Sequence, residues 1–570
     1  RSLPKTISIS ALNLRLLFFF LSGLVSASCN TLPEAKDPAI LSGVPTMADV
    51  ADSLNRVSAG ASKWSVVGGD SIVYSNHHTI DWVKEFQAFL KDDVNKQRFA
   101  DAYIITDAFK AGVRTVVFQA ASPSQEIKSV KILLDKGRVT HYSIIKERSN
   151  LLSSSKQLFT FNGTSYELEI EQSIKWFFDN KQFVHGDILP EGTLWRGVFQ
   201  HKEGLIPIQF VINSQNELIV KNHTELLTFI PTEGKSDSSV YESEYFSSHF
   251  ILKTETDSSI SGRWVNEKTG ASRSIKFRAS SKLPYRFKPH TVPEGTLTGN
   301  HKFIFLKEDG SPEETNVLSL TQNKFTLSGS LLSETGDYRY LEGIVRSDSL
   351  FLSTMDGTHL MYFDGKIKDG RINGKFLAGS SFSQKWSAEL NSAVRLSNPA
   401  GITKLNPESI FKFSFPDETG SIVSIDDEQF NNKVLLVSIM GTWCSNCLDE
   451  SRFLKDLYDD YSHDDLSIVS LDFELINDTL RAIENIKKYK RNLDINYPVL
   501  LAATRATKTI AAEALPTLNG IFSYPTLLLL NKKHEVVRIH TGFNGPATGE
   551  ENYTSFTKEY RELIDDLIRQ

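Results

Sequence analysis

The chain has 570 residues, with 63 Lys plus Arg against 69 Asp plus Glu and a formal net charge of −6. No basic excess points to a nucleic-acid partner, and no acidic run points to a solvating tail. A hydrophobic fraction of 40% with 11% aromatics excludes a disordered chain. At roughly 150 residues per domain the length suggests three or four domains.

Residues 1–29 read as an export leader. Arg1, Lys5 and Arg15 precede the apolar run LLFFFLSGLV, and the small residues of SASC follow it. The run is short for a bilayer span, which takes about 20 residues. SASC resembles the lipobox of bacterial lipoproteins: Ala27, Ser28 and Cys29 fit, while Ser26 stands where Leu is usual. The resemblance implies lipidation of Cys29 and a protein held outside the cytoplasm, in the cell envelope on its periplasmic side.

Residues 30–62, rich in Pro, Ala, Ser and Asp, read as a tether ending in a short helix. Residues 63–187 read as an α+β domain. Val83, Phe86, Phe89 and Leu90 recur at helical spacing in TIDWVKEFQAFLKDDVNKQ, and alternating runs such as RTVVFQAA and SYELEIEQSIKWFF follow. His77 and His78 are adjacent, so on a strand they point apart and suit a solvated turn better than a metal site.

Residues 188–395 contain an internal repeat. PEGTL occurs at Pro190–Leu194 and again at Pro293–Leu297; ISGRW (Ile260–Trp264) is echoed by INGKF (Ile372–Phe376). The pattern predicts tandem β-rich units, barrels or sandwiches, of about a hundred residues each. Trp195, Trp264, Phe376 and Trp386 on these strands read as core rather than as a ligand pocket.

Residues 396–409 have the Pro, Asn and Gly content of a linker. From residue 410 the rhythm changes. FKFSF and SIVSI read as a hairpin, KVLLVSIM as a buried parallel strand, and Leu454, Leu457, Tyr458 and Tyr461 as the stripe of a helix with Cys444 in its first turn. The later runs read as strand (LSIVSLDF), helix (residues 478–492), short strand (YPVLLA), helix (ATKTIAAEALPTL), antiparallel strand pair and terminal helix (residues 550–568). Strand, CxxC, helix, strand, helix, then a Pro-led strand pair and helix is an α/β order of thioredoxin type. The fold expected is therefore multidomain: an amino-terminal α+β region, a tandem β-rich region, and a carboxy-terminal α/β thioredoxin-like domain.

With Cys29 assigned to lipid, Cys444 and Cys447 have no competitor for each other. A thiolate is the nucleophile of disulfide exchange, and a helix start stabilises its charge with free backbone N–H groups and the helix dipole. A partner within one turn can resolve the mixed disulfide. Trp443 immediately before the pair, and SYPT about eighty residues later, strengthen the reading. Pro525 is the expected cis proline facing the cysteines, leaving the Tyr524 backbone free to pair with an extended substrate segment.

These residues resemble the TlpA/ResA-like branch of extracytoplasmic thiol:disulfide oxidoreductases, related to the AhpC/TSA superfamily. WCSNC, Glu450, FSYPT and IHTGFNGPATGE carry the resemblance. It implies an exposed nucleophile at Cys444, a buried resolving thiol at Cys447, and a carboxylate at Glu450 that accepts or returns the Cys447 proton. It also implies disulfide-bearing envelope proteins and a membrane electron donor as partners, with no cofactor beyond the cysteine pair. Ser438 stands six residues before the first cysteine, where cytoplasmic thioredoxins carry a buried aspartate, so a proton relay must run through Glu450. Thr442 lies two before Cys444 with no upstream Pro, against a peroxidase, and a zinc site lacks two further ligands. The alternative function is an envelope binding protein whose β-rich region takes a protein, peptide or glycan, with the carboxy-terminal domain as scaffold.

Overall fold

The computed structural model describes residues 38–570 apart from 68–70, 111, 234–237, 270–272, 289–292, 294 and 397–400. The leader, Cys29 and the first part of the tether lie outside the described residues. Among the described residues no helix is long and apolar enough to cross a membrane.

The amino-terminal unit is a nine-stranded antiparallel sheet in which the last strand, Phe178–Leu189, folds back beside the first, Gly60–Val67. Helix Met47–Arg56 starts on a capping box between Thr46 and Asp49 and buries Met47, Val50 and Ala51. It falls within the segment read as a tether, and its apolar stripe belongs to the core of this unit. The helix expected over residues 79–97 is much shorter, Trp82–Glu85. Beyond it the backbone turns through bonds from Gln87 N to Lys84 O and from Phe89 N to Phe86 O. These turns let Trp82, Phe86 and Phe89 all enter the sheet core, so the aromatic spacing records burial and not a continuous helix.

Two barrels follow. The first is a closed eight-stranded barrel running from Thr193–His201 to Arg273–Ser280, with first and last strands paired at Phe199 and Phe277. The second is a nine-stranded sheet from Gly299–Leu306 to Phe382–Leu390, counting the two-residue strand Gly336–Asp337; its first and last strands pair at Phe303 and Ala388. The sequence echo has a structural counterpart: ISGRW and INGKF each lie in the penultimate strand of their barrel. Alternation along the strands points one set of side chains inward, and Phe199, Phe210, Phe229, Phe250 and Phe277 fill the first barrel. Trp195 and Trp386 are core as expected.

The segment from Gly401 to Ser409 lies against the carboxy-terminal domain. Thr403 N donates to Thr541 Oγ1, and Leu405 bridges to Leu518. In that domain the strand order is Val499–Ala503, Leu466–Phe473, Val434–Met440, Thr526–Leu530, Val536–Thr541; the first three are parallel and the last two antiparallel. Every residue of Val434–Met440 and Leu466–Phe473 is buried, because helices cover one face and the Ser414–Pro416/Ile422–Ser424 hairpin region covers part of the other. Helices Ser445–Asp460 and Glu550–Arg569 pack on the face that carries Leu436, Met440 and both cysteines.

Candidate redox site

The central strand ends at Met440, and the chain turns through Gly441–Trp443 into helix Ser445–Asp460. Gly441 is required there: a Cβ would come within 2.3 Å of the Trp443 indole nitrogen. Trp443 is fixed by its Nε1–H, which donates to Phe473 O at 2.9 Å, and by an edge contact with Tyr524. Cys444 is the N-cap residue, and its sulfur accepts from Cys447 N at 3.1 Å. The two cysteines form a disulfide with Cα atoms 5.2 Å apart. The Tyr524–Pro525 bond is cis, and Cys444 Sγ lies 3.4 Å from Tyr524 O.

Cys447 is fully buried, and Cys444 is only 6% exposed. An exposed nucleophile was expected; the structure corrects this, since Cys444 sits within the core of its own domain and both barrels pack beside it. Phe246 of the first barrel joins the core around the cysteines. Arg339 of the second is 1% exposed and donates to Ser445 O at 2.6 Å, while pairing with Asp449 at 2.6 Å and with Glu225 of the first barrel. Asp356 Oδ2 accepts from Ser445 Oγ at 2.8 Å, Asp337 O accepts from Asn446 Nδ2 at 2.9 Å, and Thr335 O accepts from Ser523 Oγ at 2.6 Å. Gly542 has φ +79 and lies so near Thr335 and Gly336 that a Cβ would approach within 2.7 Å. Both residues between the cysteines are thus gripped by a different domain.

Glu450 lies one turn beyond Cys447 and is 1% exposed. Burial raises its carboxyl to about 8, only partly offset by the hydrogen bond that Ser438 Oγ donates to Oε2. Its other oxygen has no hydrogen-bond partner. Ser438 and Glu450, singled out separately in the sequence, therefore meet. An acidic pair, Asp472 and Glu474, was missed. Thr442 N donates to Asp472 Oδ1 at 3.0 Å and Thr442 Oγ1 donates to Glu474. Burial and the neighbouring Glu474 carboxylate raise Asp472, and burial raises Glu474 to about 7. The available signal was DFE, two acids two apart where an apolar strand runs out.

A cavity of about 590 Å³ opens between the two barrels and the cysteine pair. Cys444, Trp443 and Tyr524 form its floor, and Trp264 and Phe376, read as core, also line it. Among the described residues no cluster of His, Cys, Asp or Glu is arranged to hold a metal ion.

Residues 407–555 match the family described as Redoxin. The thioredoxin-like protein YneN of Bacillus subtilis is 25% identical over 130 residues, 23% of this chain and 68% of that protein. The thiol-disulfide oxidoreductase ResA of Bacillus cereus is 27% identical over 127 residues, 22% of this chain and 64% of that protein. The chain thus spans about two thirds of the length of these relatives. Among solved structures, a thiol-disulfide oxidoreductase from Bacteroides fragilis is similar at 21% identity, covering 28% of this chain and 99% of that one, with a TM-score of 0.21. The thioredoxin domain of a thiol-disulfide oxidoreductase from Bacteroides vulgatus is 19% identical, with coverages of 29% and 98% and a TM-score of 0.21. Residues 407–555 thus match the Redoxin family, and this part of the chain is similar to the thiol-disulfide oxidoreductase ResA.

Proposed function

We propose that the protein is an exported thiol:disulfide oxidoreductase that works as a disulfide reductase for substrates of the cell envelope. The observation that carries this reading is the Cys444–Cys447 disulfide at the start of helix Ser445–Asp460, with a buried carboxyl one turn further on. In the reduced protein the Cys444 thiolate receives the Cys447 N–H and the positive end of the helix dipole. It attacks a substrate disulfide to form a mixed disulfide, and one substrate thiolate leaves. Cys447 then gives its proton to Glu450 and attacks Cys444 Sγ, releasing the second substrate thiolate. A carboxyl raised to about 8 exchanges a proton near neutral pH, as this step requires. Trp443 and Tyr524 border the sulfur on the substrate side, and cis Pro525 shapes the loop beside it.

The apolar run before SASC supports export, and lipidation at Cys29 would hold the protein at a membrane. A membrane electron donor would re-reduce the pair. The test is the equilibrium potential of the pair in dithiothreitol or glutathione buffers, with Cys444→Ser as control. A value near or below about −270 mV, that of thioredoxin, supports a reductant, and a value near about −120 mV, that of the oxidant DsbA, overturns it.

A further inference from the structure

The chamber over Cys444 has a chemical character of its own. Its walls come from three units of the chain: Trp264 and Lys268 from the first barrel, His359 and Phe382 from the second, Trp443 and Cys444 from the redox domain. Its size falls within the roughly 300–1,000 Å³ typical of small-molecule sites. Cys444, 6% exposed, lies on the floor of the chamber, so a folded protein partner, which buries about 800 Å² on each side, could touch it only by passing between the barrel walls. Swinging the barrels aside would break the Arg339 contacts to Asp449 and Ser445 that fasten the second barrel to the redox helix.

The acids at the chamber are already committed. Asp356 is bound by His359 Nδ1 at 2.9 Å, Ser445 Oγ at 2.8 Å and Thr358 N at 2.8 Å; Asp337 accepts from Gly545 N at 2.9 Å and from Arg339 N at 2.6 Å. Lys268 makes no salt bridge to a carboxylate among the described residues; burial pushes its pKa down, and the Asp356 carboxylate, behind His359, acts in the opposite direction. Its Nζ lies 2.8 Å from His359 Nε2 and 5.8 Å from the Trp443 ring centre, so the amine is held beside the residue that precedes Cys444. Arg273 adds a second cation at the rim. Aromatic walls, an amine with no salt bridge of its own and a sulfur on the floor suit an apolar-bodied disulfide with an anionic end.

Resting on the oxidoreductase reading, we propose that the substrate of this site is a low-molecular-weight disulfide bearing a carboxylate, and that Lys268 receives the carboxylate while Cys444 attacks the disulfide. In the balanced step the Cys444 thiolate forms a bond to one sulfur of RS–SR′ and R′S⁻ leaves. The Cys447 thiolate then displaces RS⁻ from Cys444. The substrate is reduced to two thiols, the cysteine pair is oxidised to its disulfide, and a dithiol reductant restores the pair.

The test uses the full chain, reduced with dithiothreitol and desalted, with the change in tryptophan fluorescence reporting oxidation. Three oxidants are compared: dithiodipropionate, with two carboxylates; cystamine, of similar size with two ammonium groups; and insulin. Rates are normalised to those of each oxidant with free dithiothreitol. Dithiodipropionate should exceed cystamine at least tenfold and insulin at least tenfold. Lys268→Met should collapse the preference for dithiodipropionate over cystamine to within twofold, and Lys268→Arg should keep it, which separates charge recognition from loss of folding. Equal rates for the two small disulfides, or insulin reacting as fast as either, overturn the proposal while leaving the oxidoreductase reading intact. Failure to react with all three overturns both.

Discussion

Asp356 and Glu450 are both carboxyls of 1% exposure beside the start of the same helix, yet their environments push them in opposite directions. Glu450, reached from inside the redox domain, has one hydroxyl donor and no cation, and burial lifts it to about 8. Asp356, reached from the second barrel, is also pushed up by burial. His359 and Arg339, together with the Ser445 hydroxyl, outweigh that push and hold it well below the usual carboxylate range. Burial alone does not decide what a buried acid does; its counter-charges do. The first acid is suited to carrying a proton, the second to holding two domains together.

The largest effect should come from Arg339→Met, which breaks the charged side of this comparison. It leaves Glu225 buried without its cation and Asp449 with only the exposed Arg452, and should cost about 3–5 kcal/mol, read as a lower midpoint in denaturant unfolding. A shift under about 1 kcal/mol would show that the barrels do not depend on this pair.

Glu450→Gln acts on the opposite side. The resolving step, followed by release from the mixed disulfide, should slow on the order of 10²-fold at neutral pH. Stability should also change its pH dependence. The folded carboxyl is raised from 4.5 to about 8, so its contribution is complete below about pH 4.5 and is lost as pH rises through 8. Wild-type melting temperature should therefore fall across that window more steeply than that of the variant.

Asp356→Asn should show the reverse sign. A depressed carboxylate contributes stability above its unfolded value near 3.8 and loses it as pH falls through the folded value. The wild type should exceed the variant in melting temperature above about pH 4, and the gap should narrow on further acidification. A constant gap from pH 7 to pH 2 would refute the charge argument.

The smallest effect belongs to Ser438→Ala. It removes the hydroxyl that Glu450 Oε2 accepts from and should cost about 1 kcal/mol. It should move the carboxyl titration, followed by carbonyl-region infrared difference spectra, further upward, because the lost hydrogen bond was lowering it. An unchanged titration would show that the hydroxyl does not tune the acid.

Much of the redox domain was legible in the sequence because its signals are local. Apolar runs long enough for buried strands, a CxxC at a helix start and Glu450 three residues beyond it all lie within one strand–turn–helix unit. The barrels were legible as repeats, since the echo from Ile260 to Ile372 follows from similar penultimate strands, but sequence periodicity cannot say whether a sheet closes. The helix expected over residues 79–97 failed for a related reason: Trp82, Phe86 and Phe89 satisfy a helical spacing, while the sheet core they enter favours turns after Glu85.

Local order and the cysteine pairing were therefore set by the sequence alone, because Cys444, Cys447 and Glu450 sit within seven positions of one another. Only the tertiary structure decided that the nucleophile is roofed. Ser445 meets Asp356 across 89 residues and Arg339 reaches Ser445 across 106, so no spacing rule connects them. Closing the barrels against the redox helix turns a surface thiol into the floor of a chamber with an ammonium on its wall, and no single segment of the chain contains that chamber.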